Sequence, residues 1–289
     1  MKTNIHICWT LDCEATHPAV GDADLGVRSI RGFMQLIRRA NLRSTLFVLP
    51  TDAAAYPALL GDLGAQDCQI GMHYHPEVEG YDDFCGSYEG DQQRKMYADG
   101  IKKFADAAGL APKTFRTGSA SANDATFPVV AELGFESSSL SLPGRNMTHL
   151  RSNWLDAPQH PHYANPANRL LEDGLDLVEV PLTSDPDSML WFGKHPQDLR
   201  VELFDAKNQY YMIDKVLGRE KTRSQPVKAI IVLTHNIFEY EDPGDFRHQT
   251  MKQMITDFAR LADEHQVNLV PATIGQIAAA FRKAAPLKK

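Results

Sequence analysis

Two histidines, His73 and His75, close an apolar stretch that begins Cys68-Gln69-Ile70-Gly71-Met72, and two acids with the same spacing, Asp12 and Glu14, close another that runs over residues 5–11. On a β-strand, residues i and i+2 share a face, so the side chains of each pair can converge on one point. Two imidazoles and two carboxylates at strand ends form an open-sided site for a transition-metal ion, with room left for water and substrate. The chemistry of such a site is hydrolysis, because the ion acidifies water and polarises an acyl oxygen.

These groups meet only if the fold brings their strand ends together. Strand-like apolar runs recur at residues 5–11, 43–49, 67–72, 113–116, 135–139, 176–181, 228–234 and 267–271, with helical patterns between most of them. Residues 27–40 place Val27, Ile30, Phe33 or Met34 and Ile37 on one face and arginines on the other. Residues 90–108, 246–265 and 273–283 repeat the pattern, and residues 123–133 open on Asn123-Asp124 as N-cap and close at Gly134. Alternating strands and helices imply parallel strands joined by right-handed crossovers. No GxGxxG or GxxxxGK[ST] motif follows the first strand, which disfavours a nucleotide-binding sheet. The expected fold is α/β: a single distorted (β/α) barrel, spanning residues 1–289, of about seven or eight parallel strands. In such folds the active site forms at the carboxyl ends of the strands. Asp12, Glu14, His73, His75, Arg116 (ending the fourth run) and His235 (ending the run 228–234) then share one rim.

Composition sets the outer bounds. The chain has 289 residues, 43% hydrophobic and 23% charged, as in a soluble globular protein with a large core. A net charge of -7 and the lack of a basic stripe argue against nucleic acid or an anionic membrane as partner. Cys8, Cys13, Cys68 and Cys85 show neither CxxC pairing nor the density of a disulfide scaffold, and Cys8 and Cys68 are expected to be small buried hydrophobes. Cys13 is expected to pack between two functional acids rather than act as a nucleophile. With no signal-like h-region, the expected location is the cytoplasm and the expected substrate soluble and intracellular. Oligomeric state stays open, a homo-oligomer included. Residues 141–176 are irregular, rich in Pro, His, Asn and Tyr, and read as a substrate loop with Trp154 and Tyr163 as a wall; His160 and His162 serve equally well as loop packing or substrate contacts. Lys288-Lys289 reads as a short tail.

The ordered motifs resemble those of the polysaccharide deacetylases, the NodB-homology carbohydrate esterases. Thr10-Leu11-Asp12-Cys13-Glu14 is similar to their Thr-Phe-Asp-Asp motif, and His73-Tyr74-His75-Pro76 to a shortened form of their histidine motif. Phe115-Arg116-Thr117-Gly118-Ser119 is similar to their arginine motif, Leu233-Thr234-His235 to their Leu-x-His, and Thr45-Leu46-Phe47 to their Thr-Phe-Phe. The likeness runs from residue 5 to about residue 272. It departs where Cys13 replaces the usual second Asp, and where the Asp-Trp pair that supports the last histidine has no match, leaving Asp185 or Asp187 as stand-ins.

The resemblance implies a distorted barrel holding one divalent ion, most often zinc, with cobalt, nickel or manganese as alternatives. Glu14, His73 and His75 are then the metal ligands, Asp12 the general base, Arg116 its orienting partner and His235 the general acid; Asp12 and Glu14 can exchange roles on spacing alone. The implied reaction removes an acetyl or other acyl group from an N- or O-acylated sugar or oligosaccharide. A related C–N hydrolase acting on a small amide or ureide, and a catalytically silent carbohydrate-binding protein, are the alternatives.

Overall fold

The computed structural model describes residues 2–20, 22–64 and 68–287. Lys288-Lys289, read above as a tail, and Asp67, placed at the head of the third strand, lie outside them.

The central strand is Thr3–Cys13, and its Ile5, Ile7, Cys8, Trp9, Leu11 and Cys13 are all buried. A strand apolar on both faces has to lie inside a parallel sheet covered on both sides. It does: one edge pairs in parallel with Ala229–His235, and the other with Val267–Pro271 along its first half and Ser44–Val48 along its second. The sheet continues in parallel through Cys68–Tyr74, Thr114–Thr117, Ser137–Ser138 and Val178–Glu179, and ends on an antiparallel strand, His162–Tyr163.

This curled, parallel-rich sheet is the distorted (β/α) barrel expected from the strand–helix alternation. Its gap is bridged by irregular chain. Val180 N donates to Ser138 O and Leu182 N to Ser141 O on one side; Leu199 N donates to Thr183 O; Val201 N donates to Leu233 O on the other.

Helices cover the outside. Ala23–Arg39 starts at Asp22, whose carboxylate accepts from Leu25 N at 2.9 Å, and buries Ile30, Phe33, Met34 and Ile37. Gly90–Ala108 opens with a Glu89/Gln92 capping box and stops at Gly109, whose φ of 64° suits a residue without Cβ. Phe246–Glu264 and Ile274–Ala284 also fall where the periodicity places them. The helix expected over 123–133 is Thr126–Glu132: Asn123 sits further out, accepting from Ala125 N, while Asp124 pairs with Arg169.

Other elements of the described residues lie outside the expected pattern. Pro50–Ala55 and Pro57–Gly64 each begin on proline, which presets the first turn, but are too short to show a period. Ala206–Thr222 buries Gln209 and Glu220 among Met212, Ile213, Val216 and Leu217, which dilutes its apolar stripe. Ser184–Leu190 and His195–Asp198 form an antiparallel hairpin. No helix among the described residues is long and apolar enough to cross a membrane.

Candidate active site

Register brings the motifs together. Asp12 pairs with His235 across two parallel strands, and His73 with Arg116 across two others, so all four lie at carboxyl ends on one rim. The rim opens into a cavity of about 140 Å³ lined by Asp12, Glu14, His75, Arg116 and His235, together with Leu140, Leu142, Leu182, Arg145 and Arg200. His73 lies just beneath, buried.

Glu14, His73 and His75 form the first cluster. One carboxylate oxygen, Glu14 Oε1, lies 2.8 Å from His73 Nε2 and 3.1 Å from His75 Nε2. The far nitrogen of each ring is occupied: His73 Nδ1 faces Arg116 O at 3.1 Å and His75 Nδ1 faces Glu77 Oε1 at 2.7 Å. A ring that spends its Nδ1 proton on such an acceptor presents an Nε2 lone pair to Glu14, and two lone pairs at this distance repel unless a cation stands between them. The donor set, with carboxylate and carbonyl groups backing the two histidines, therefore fits a divalent metal ion. Burial opposes charge on His75, but Glu14 and Glu77 outweigh it and push its pKa up to about 10. Burial likewise opposes ionisation of Glu14, yet hydrogen bonds from His73 and His75 hold it well below the usual carboxylate range.

Asp12 and Arg116 form the second pair. The fully buried guanidinium donates from Nη1 to Asp12 Oδ1 at 2.6 Å and to Thr10 Oγ1 at 3.0 Å. Its Nε and Nη2 donate to the carbonyl and hydroxyl of Ser139 at 2.6 and 2.9 Å, and its plane lies 4.0 Å over the Phe47 ring. The chain on either side of Ser139 is in turn held by buried Glu179, which accepts from Leu140 N, Ser141 N and the hydroxyls of Ser138 and Ser141. Asp12 Oδ2 stands 3.9 Å from His73 Nε2, beside the first cluster.

His235 and Glu202 form the third pair, with Nδ1 2.5 Å from Glu202 Oε1. The other Glu202 oxygen accepts from Thr234 Oγ1 at 2.8 Å. Burial disfavours the imidazolium, but Glu202 more than compensates, and the pKa of His235 rises to about 9. Glu202, not Asp185 or Asp187, supports this histidine. Asp185 is bound to Lys215 and Ser188, and Asp187 is exposed beside Lys215. Glu202 carries no local motif; only the pairing of residues 199–201 with Leu233 delivers it.

The expected substrate wall is a correction. Trp154 is buried and donates from Nε1 to Ala120 O at 2.8 Å, while Tyr163 packs on Phe281 and accepts from Leu287 N. Neither lines the cavity, nor do His160 and His162. What residues 141–176 contribute is Leu142 and Arg145. Arg145 Nη1 donates to Ser119 O at 3.0 Å, so Arg145 and Trp154 clamp the carbonyls of Ser119 and Ala120, two non-glycine residues at φ of 55° and 50°. Left-handed backbone of this kind persists only where its surroundings enforce it. Cys13 and Cys8 are buried, and burial pushes both thiols up, Cys8 to about 12, away from nucleophilic reactivity.

No protein-family model matches the chain, and no curated protein matches it in sequence. Solved structures do match. A protein from Mycobacterium smegmatis assigned as a polysaccharide deacetylase superposes with a TM-score of 0.67 at 19% identity, covering 99% of this chain and 92% of that one. Another so assigned, from Pseudomonas aeruginosa PAO1, gives 0.65 at 16% identity over 98% and 93%. The allantoinase PuuE gives 0.66 at 14% identity over 98% and 92%. At these identities the likeness establishes the fold, and it is the fold the motif resemblance implied.

Proposed function

We propose that the protein is a metal-dependent hydrolase that removes an acyl group from an N- or O-acylated sugar or oligosaccharide. The observation that carries this reading is Glu14 Oε1 facing two histidine Nε2 atoms whose Nδ1 atoms are already committed. A divalent ion held by Glu14, His73 and His75, zinc being the first choice, would supply Lewis acidity and bring water to a pKa of about 7.

The chain's own groups account for the proton traffic. Asp12, oriented by Arg116, takes the proton from the attacking water as the C–O bond forms at the acyl carbon. His235, kept protonated by Glu202, gives its proton to the departing nitrogen or oxygen as the acyl bond breaks.

A second reading, hydrolysis of a C–N bond in a small amide or ureide, is favoured by the cavity: about 140 Å³ is small beside the roughly 300–1,000 Å³ of typical ligand pockets. Elemental analysis of wild type beside His73→Ala and Glu14→Ala tests the centre, and acetate release from N-acetylated oligosaccharides against product from ureides separates the two reactions. Absence of metal after reconstitution with zinc, together with sugar binding, would favour the silent binding protein instead.

A further inference from the structure

The cavity holds two cations that the hydrolytic machinery does not use. Arg145 is 6% exposed and lines it, yet no carboxylate among the described residues forms an ion pair with Arg145; its guanidinium donates to Ser119 O at 3.0 Å and Met147 Sδ at 3.2 Å. Arg200 lines the same cavity and shares Asp198 at 3.2 Å through Nη2, while its Nε is buried without a partner. Asp198 Oδ1 and both ring nitrogens of the adjacent His195 are likewise buried and unsatisfied.

Buried charges are ordinarily paired, and a guanidinium fork without a carboxylate is a vacancy for one. The electrostatics agree. Burial and the neighbouring Arg200 push Arg145 down to about 10, which the attraction of Asp198 offsets only in part, and burial pushes Asp198 up, against the pull of both arginines. Asp12 and Glu202 are no substitutes, being committed to Arg116 and His235. The rest of the wall is Thr117, Ser119, Ala120 and four leucines, Leu140, Leu142, Leu182 and Leu233, with no Trp, Tyr or Phe among the described residues lining it on which a sugar face could stack.

We propose that Arg145 and Arg200 bind a carboxylate of the substrate, so that the protein acts on a compact acylated or carbamoylated amine that is itself an acid. This rests on the hydrolase reading above and names the substrate class of that same site. A carboxylate matches the guanidinium fork through paired hydrogen bonds, and the leucines take up the short carbon chain between the acid and the scissile bond.

The test uses metal-loaded protein and matched compounds: N-acetyl-β-alanine and N-carbamoyl-β-alanine, the amide of each, the phosphate ester of N-acetylethanolamine, and N-acetylglucosamine. Turnover is read as kcat/KM and binding as the rise in melting temperature. The expected result is a preference of about 10- to 100-fold for each acid over its amide, carried by KM. Arg145→Met and Arg200→Met should erase that preference, bringing the acid-to-amide ratio of kcat/KM close to one, and Arg145→Lys should restore part of it. Equal handling of acid and amide by the wild type, or a preference that survives both substitutions, would overturn the proposal and leave the hydrolase reading standing. A preference for the phosphate ester or the neutral sugar would overturn the carboxylate. If nothing is turned over the hydrolase reading fails, and the melting shift still decides whether the two arginines hold an acid.

Discussion

Gly118 lies directly against the His75 ring: a Cβ built on it would sit 2.2 Å from Nε2 and 2.3 Å from Cε1. No side chain fits there unless the imidazole moves, and the imidazole is what Glu14 and Glu77 hold between them. Gly118→Ala is therefore expected to weaken metal binding by about 10- to 100-fold, as loss of a ligand's orientation does. Calorimetric titration with zinc, beside a melting curve showing that the variant still folds, checks this; unchanged affinity would mean that His75 is not a ligand.

Glu202 sets the charge of His235, so its removal has a signed effect on pH dependence. The folded-state pKa of about 9 lies above the ordinary 6.5. Stability from this pair is accordingly complete below about 6.5 and lost as pH rises through about 9. Activity that needs the imidazolium falls over the same alkaline range. Glu202→Gln removes the compensating charge and leaves burial to act, so the alkaline limb of the rate profile should move to lower pH. A limb that stays in place would assign it to another group.

Much of this site was legible from the chain because its residues sit at the ends of strands with strong local patterns. Asp12, Glu14, His73, His75, Arg116 and His235 each close an apolar run, and the parallel topology fixes where such ends go. Glu202, Arg145, Arg200 and Glu179 were not legible. Glu202 and Arg200 follow a hairpin whose polar residues read as loop, Arg145 lies in irregular chain, and Glu179 closes a strand of two residues. Their positions are set by tertiary pairing across the barrel gap, which has no period in sequence. Trp154 misled for a related reason: its indole is a buried clamp on Ala120, and an aromatic in a polar loop reads the same whether it faces ligand or backbone.

Asp52, outside every motif, anchors the segment after Glu14. Its oxygens accept from Ala15 N at 3.0 Å and Thr16 N at 2.9 Å, as well as from the Tyr56 and Thr16 hydroxyls. Asn236 links this anchor to the site, accepting from Glu14 N at 2.6 Å and lying 3.3 Å from the Tyr56 hydroxyl. Asp52→Ala strands two backbone donors and a buried phenol, each worth about 1–3 kcal/mol. A loss of about 3–5 kcal/mol in urea unfolding is expected, with weaker metal binding, whereas Tyr56→Phe should cost about 1 kcal/mol. Equal costs for the two would place the anchoring elsewhere than in the carboxylate.

Asp12 and Glu14 exchange roles freely on spacing, whereas their distances from His73 differ. Glu14 Oε1 is 2.8 Å from His73 Nε2, whereas the nearer Asp12 oxygen is 3.9 Å away and its partner oxygen is tied to Arg116. Glu14→Gln should therefore lose the metal, seen by elemental analysis after dialysis, and activity with it. Asp12→Asn should keep near-stoichiometric metal and the Arg116 contact through its amide oxygen, while kcat falls by about 10²- to 10⁴-fold, the usual worth of a general base. Because the metal-bearing protein is intact in one variant and not in the other, the two measurements separate ligand from base. Metal lost from Asp12→Asn and retained by Glu14→Gln would reverse the assignment. The base would then be the carboxylate facing both histidines, and Arg116 would orient a ligand.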